Sequence, residues 1–292
     1  LNFMVDKKLF LYMVMILAMI SFGISWPTAK IVGRYANPQD LLAWRFIFAL
    51  FAMTIVMKIG SIPFSFPTKS IKYVMFTSVM IVIYNYNYLK GTQVGIAGLG
   101  GVIVPTTSPI ITFLLGSFLF KKKLLMKEIL GLIIGFCGVS LLMRFWEIDS
   151  TKIIISGNVF FLLAALSWSL ATLATQKAQT TSHPINFSFW LYALSMLMSI
   201  PFLSIESILL PFSFDGIFWI NFLIISVIVL GFGNTAYFLS TMKLGSEKAS
   251  SFMFIVPFSA VLSSSFFLGE IIAVSTIAGG ILTLLAVVLI NK

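Results

Sequence analysis

Charge is scarce in this chain. Only 10% of its 292 residues are Asp, Glu, Lys or Arg, against 59% hydrophobic, too few to cover the surface of soluble domains of that length. Acids are the rarer sign, nine against nineteen bases. Histidine occurs once, as His183, and cysteine once, as Cys137. A single cysteine forbids an internal disulfide. Without a His/Cys cluster no metal site is expected. A lone His in a short connection cannot serve a Ser–His or Cys–His pair inside a membrane. The acids fall at the ends of apolar runs or in loops, so no buried carboxylate pair is expected. No catalytic residue, metal or cofactor is therefore assigned, and the chain does not read as an enzyme. The net charge of +10 does not point to nucleic acid, because the lysines cluster in short loops, as topology signals do.

Long apolar runs are what the chain has in abundance. A hydrocarbon core of roughly 30 Å needs about 20 helical residues. Ten spans are predicted, at roughly 9–29, 41–60, 71–89, 95–119, 126–145, 155–176, 185–205, 217–240, 248–268 and 272–290. Lys7 and Lys8 precede the first, which reads as a span rather than a cleaved leader. The longest polar interruption, Arg144 to Lys152, lies midway. With the N-terminus inside, thirteen Lys residues fall on the inner side and five Lys or Arg on the outer, with Arg45 left within a span. Both termini are therefore expected in the cytoplasm.

The two halves repeat each other. Pro38 and Trp44 recur as Pro184 and Trp190, Asn85, Tyr88 and Thr92 as Asn234, Tyr237 and Thr241, and Pro109 and Gly131 as Pro257 and Gly279, at offsets of 146, 149 and 148 residues. Each half, 1–149 and 150–292, holds five spans. An odd number inserts the second copy upside down, the signature of an inverted-repeat transporter. Charge agrees: twelve and thirteen residues after Pro109 stand Lys121 and Lys122, and at the same distances after Pro257 stand Gly269 and Glu270.

These residues resemble the EamA-type carriers of the drug/metabolite transporter superfamily, over essentially the whole chain. Gly23 with Lys30 resembles the family's first-helix pattern. Pro38 with Arg45, inside Trp44-Arg45-Phe46, resembles its second. Ala249 to Glu270, through Pro257, resembles its ninth. The resemblance implies an all-α membrane protein of ten transmembrane helices, two inverted five-helix repeats around a central cavity. It also implies export of amino acids or related metabolites. Lys121 and Lys122 depart from the Gly-Glu common at that place. Ser169, Gln176 and Leu191 stand where the first half has Gly23, Lys30 and Arg45, so the charged members read as candidates for one-sided roles.

The candidate cavity residues are Trp26, Asn85, Tyr88, Pro105, Thr106, Pro109, Trp168, Thr172, Asn234, Tyr237 and Pro257. Prolines inside a span free a carbonyl four residues back, which in lipid must find protein or water. Asn85, Tyr88 and Thr92 share one helical face, and packing by interhelical hydrogen bonds is the competing reading. Trp26 and Trp168 read as aromatic walls, Trp44 and Trp190 as interfacial anchors. Lys30 and Arg45 are expected near the outer mouth, contacting substrate charge or a gate partner such as Asp40; snorkelling is the alternative. Gly95, Gly98, Gly100 and Gly101, like Gly131, Gly135 and Gly138, read as sites of close helix approach. The expected partners are a small-molecule substrate and the lipid bilayer of a bacterial inner membrane, and a homodimer is compatible with both. With no acid at mid-span, facilitated diffusion or exchange is favoured over a carboxylate proton relay. The alternatives are a receptor or assembly protein that moves nothing, an uptake carrier for another solute, and a channel.

Overall fold

The computed structural model describes residues 2–142, 158–268 and 274–292. Its helices are α1 (Asn2–Val32), α2 (Pro38–Ile59), α3 (Ile71–Val94), α4 (Ala97–Phe120), α5 (Met126–Leu142), α6 (Asn158–Lys177), α7 (Pro184–Ser199), α8 (Gly216–Leu244), α9 (246–268) and α10 (Val274–Asn291). The described residues include no strand. The division at 149/150, the Arg144–Lys152 connection and the Gly269-Glu270 contrast all lie outside the described residues.

Local chemistry sets several boundaries. Pro38 and Pro184 each occupy the first turn of their helix, where a missing N–H costs nothing and the fixed φ is already helical. Asp215 caps α8, accepting the Phe218 N–H at 2.9 Å, which satisfies one of the orphan donors of a helix start. Gly245, at φ 93°, makes the turn into α9 with a backbone that a Cβ would strain.

Among the described residues six helices are long and apolar enough to cross a membrane: α1 from Leu9, α2, α4, α6, α7 together with the 3₁₀ turn that extends it to Phe202, and α8. α3 has the length but not the apolarity, because Tyr84, Asn85, Tyr86, Asn87 and Tyr88 interrupt it. α5 has only 17 residues. Outward faces are apolar: Phe51, Phe118, Ile133 and Leu285 are exposed, while Ser78, Thr112, Ser169, Ser195 and Ser240 are buried. Many of the buried hydroxyls bond a carbonyl one turn back, as Ser78 does to Val74 and Thr175 to Ala171. Apolar outside and polar inside is the arrangement a lipid solvent selects. This is a multi-pass helical membrane protein.

Contacts between the halves come in matched pairs. Gly131 of α5 packs against Ala286 and Ile290 of α10, and Gly138 packs against Gly279. The 148-residue offset carries Gly131 to Gly279 and Gly138 to Ala286, so these are one contact made twice. Asp40 of α2 accepts from the Ser204 N–H and the Ser207 hydroxyl in the connection after α7. Asn186 of α7, at the equivalent position, donates to the Ser65 carbonyl in the connection after α2.

Candidate functional site

The chain buries a cation at the centre of the bundle. Arg45, one turn beyond Leu41 on α2, is 2% exposed. Its Nη1 donates to Asn85 Oδ1 on α3 at 2.8 Å, and its Nη2 donates to the Ile225 carbonyl on α8 at 2.9 Å. The guanidinium carbon lies 5.3 Å from the centre of the Tyr88 ring, a cation–π distance. Arg45 was expected at the outer mouth with Asp40. It neither snorkels nor reaches Asp40, whose carboxylate is held by Ser204 and Ser207.

Arg45 lines an internal cavity with Phe22, Ser25 and Trp26 of α1, Tyr84, Asn85 and Tyr88 of α3, and Val104 and Pro105 of α4. The opposite wall comes from the second half: Val229 and Asn234 of α8, Met253 and Val256 of α9. The space open to the centre of a water molecule is about 20 Å³, roughly one ordered water. In this conformation the cavity has no room for an organic solute.

Several backbone irregularities shape that wall. Ile224–Asn234 of α8 is a π-helix. Bonding residues five apart brings Val229 and Asn234 toward one face, where an α-helix would separate them, and such segments recur at functional sites. Phe252–Phe254 of α9 is a 3₁₀ turn. Pro257, four residues after Met253, supplies no N–H to the Met253 carbonyl. Gly100 and Gly101 of α4 seat the Trp26 indole: a Cβ at Gly100 would come within 2.5 Å of Trp26 Cζ3 and of Phe161 Cε1.

Of the expected cavity residues, the structure gathers Trp26, Asn85, Tyr88, Pro105 and Asn234 around Arg45. The others lie elsewhere. Thr106 and Pro109 are buried in α4, and Pro257 is buried in α9 behind Met253. Trp168 packs among the rings of Phe22, Tyr84, Tyr237 and Phe238. Thr172 and Tyr237 bond each other at 3.1 Å, as Tyr88 bonds the Ser25 carbonyl at 2.7 Å in the first half. The second-half pair is thus a tie between α6 and α8, made where the first half ties α1 to α3.

Lys30 is also a tie. Its Nζ donates to the Gln93 and Gly95 carbonyls at 3.1 and 2.9 Å, fastening α1 to the turn after α3. Gln176, its counterpart, accepts the Ser246 N–H at 2.8 Å, fastening α6 to the start of α9. The expectation that an unshared charge marks a one-sided role fails here: a cation grips carbonyls, an amide oxygen grips an N–H, and the joint is the same.

Two acids were misjudged as well. Glu128 of α5 and Glu247 of α9, one from each half, are 3% and 5% exposed. Lys122 lies 3.5 Å from the first and 3.8 Å from the second. The lysine that departs from the family's pattern thus stands between two buried carboxylates. Sequence reasoning also missed Tyr84, Ser25 and Met253. The signals were present: Tyr84 is one turn before Tyr88, Ser25 adjoins Trp26, and Met253 stands four residues before Pro257.

A helical membrane bundle with a buried cation at a small cavity between its halves defines a class of solute-handling membrane proteins. The chain belongs to the EamA-like transporter family, whose model matches residues 9–144 and 155–292. It is 27% identical over 93% of its length to the "Uncharacterized transporter YvbV" of Bacillus subtilis (strain 168), covering 88% of that protein. It is 22% identical over 91% of its length to the "Probable amino-acid metabolite efflux pump" of Salmonella typhimurium, covering 90% of that protein. A solved structure shares the fold at a TM-score of 0.72 and 14% identity, covering 95% of this chain and 96% of its own.

Proposed function

We propose that the chain is a carrier of the bacterial cytoplasmic membrane that moves a small organic metabolite, an amino acid or a related compound, outward by alternating access. Ten helices form two inverted five-helix repeats with both termini in the cytoplasm, and the repeats rock about the cavity at Arg45. One observation carries this reading: a charged cavity lies between the halves, walled by α1, α2, α3 and α4 on one side and by α8 and α9 on the other. A buried charge at a cavity between the halves suits a carrier, because carriers place their sites at the repeat interface. The matched contacts Gly131–Ala286 and Gly138–Gly279, and those of Asp40 with Ser204 and of Asn186 with Ser65, support the inverted pairing. The name of the Salmonella relative supports the amino-acid class.

Flux of radiolabelled amino acids into and out of proteoliposomes tests it, with and without a pH gradient. Saturable flux with counterflow is the expected result. Absence of flux for every amino acid and small metabolite tried sinks the carrier reading.

A further inference from the structure

We infer that the cavity binds an organic carboxylate with an apolar body, and that Arg45 is its charge partner. Transport of that anion rests on the carrier reading above; its binding does not.

A guanidinium keeps its charge in proteins and presents five donors in a fixed fork. A buried charge requires compensation, and an intramembrane ionisable residue marks a functional site whose partner must be named. Every partner of Arg45 in this conformation is neutral: the Asn85 amide oxygen, the Ile225 carbonyl and the Tyr88 ring. Its Nε, also buried, has no hydrogen-bond partner. Among the described residues no acid pairs with it; the ion pairs there belong to Lys122. Asp40, the nearest acid in sequence, is occupied by Ser204 and Ser207. Among the described residues the site therefore holds one positive charge, a free donor and no counter-ion.

The surroundings narrow the class. Asn234 lines the same cavity from the opposite half, where its amide can offer a second contact. Phe22, Trp26 and Tyr84 give the remainder of the wall an aromatic character, which suits an apolar body. One buried cation balances one carboxylate. A phosphate dianion would leave a charge uncompensated in a medium where that is costly. A carboxylate also matches the guanidinium fork in a two-point bond. Nη2 is now held by the Ile225 carbonyl, which belongs to the second half, so a carboxylate that displaced this carbonyl would release a bond between the halves.

Binding is tested on purified full-length protein by thermal unfolding, with L-phenylalanine, 3-phenylpropionate, 3-phenylpropionamide and 2-phenylethylamine at matched ionic strength. L-Alanine, propionate and propionamide serve as a smaller set. The expected result is concentration-dependent stabilisation by at least one carboxylate, about tenfold tighter or more than its amide, which corresponds to about 1.4 kcal/mol. Arg45→Gln should abolish that preference and Arg45→Lys should keep part of it. The comparison of acid with amide uses the unaltered protein and stands even if a variant fails to fold. Equal stabilisation by acid and amide, or none by any carboxylate, overturns the inference. Carboxylate binding without flux in proteoliposomes would keep the anion site and remove the carrier. Saturable flux of a neutral or cationic solute that survives Arg45→Gln would keep the carrier and remove the anion site.

Discussion

Trp44 and Trp190 reach across the molecule to the same place in each other's half. The Trp44 indole N–H donates to the Ser207 carbonyl at 3.4 Å, in the connection after α7, and the Trp190 indole N–H donates to the Ser65 carbonyl at 2.9 Å, in the connection after α2. Asp40 and Asn186, each one turn earlier on its helix, hold the same two connections. An aromatic-belt role for these tryptophans misses this, because the belt concerns lipid and the bond concerns the partner half. Two clamps joining the halves are the natural points to release if access alternates.

A cross-link should therefore arrest transport. With Cys137, which is exposed, replaced by Ala, the pair Asp40→Cys and Ser204→Cys is expected to stop flux on oxidation and recover it on reduction. Asn186→Cys with Ser65→Cys should behave alike. Undiminished flux through a verified cross-link would show that the clamps do not open.

Asn85 and Asn234 should separate stability from transport. Asn85 Oδ1 accepts from the buried guanidinium, so Asn85→Leu should cost about 2–3 kcal/mol, seen as a lower Tm, and should also impair flux. Asn234 has no bond to the guanidinium among the described residues. Asn234→Leu should change stability by less than about 1 kcal/mol and still reduce flux. Full transport in both variants would remove these amides from the site.

Lys30 should prove to be a fastening. Lys30→Met leaves the Gln93 and Gly95 carbonyls without their donor and should cost about 1 kcal/mol. Lys30→Gln, with an amide donor, should recover part of it. A substrate-binding role predicts instead a raised KM with an unchanged Tm.

The α5–α10 contact should not accept a side chain. A Cβ on Gly138 would approach the Gly279 carbonyl to 2.9 Å, and backbone cannot give way as a side chain can. Gly138→Leu and Gly279→Leu should each destabilise by about 1–3 kcal/mol or more. An unchanged Tm in both would mean that the helices do not meet there.

Acid should loosen the start of α8. The Phe218 backbone N–H, and then the Tyr35 hydroxyl, hold the Asp215 carboxyl below its ordinary value. A depressed carboxyl contributes stability above its unfolded pKa and loses it as pH falls through the folded value. Asp215→Asn should flatten that acid limb in a pH series of thermal unfolding. The hydrogen bond to Asp215 raises the Tyr35 hydroxyl, so its contribution is present below the unfolded tyrosine pKa and lost as pH rises through the folded one. Tyr35→Phe should remove that alkaline loss.

Much of the fold was legible because its causes are local. Apolar run length predicts where helices lie, Pro38 and Pro184 mark two of their starts, and the recurring Trp, Asn and Gly positions predict the pairing. Arg45 could be read as an intramembrane charge, but its depth and its lack of an acidic partner among the described residues could not. Those depend on which helices surround it. The carbonyl of Ile225, which holds one arm of Arg45, is 180 residues away, and it is presented by a π-helix that no run of apolar letters announces. Lys30 was misread for a related reason: charge invites a functional reading, while the carbonyls it satisfies carry no sequence signal.

The sequence by itself determined the solvent, the helices and the repeat, because hydropathy, proline and periodicity act within a few residues. Tertiary structure alone decided which polar groups are spent and which remain open. Asp40 and Lys30 are consumed by bonds to distant backbone and hydroxyl groups, while among the described residues the Arg45 Nε is left unpartnered at the cavity that Asn234 also lines. In a medium without water to complete a hydrogen bond, that remainder is where a substrate can be recognised.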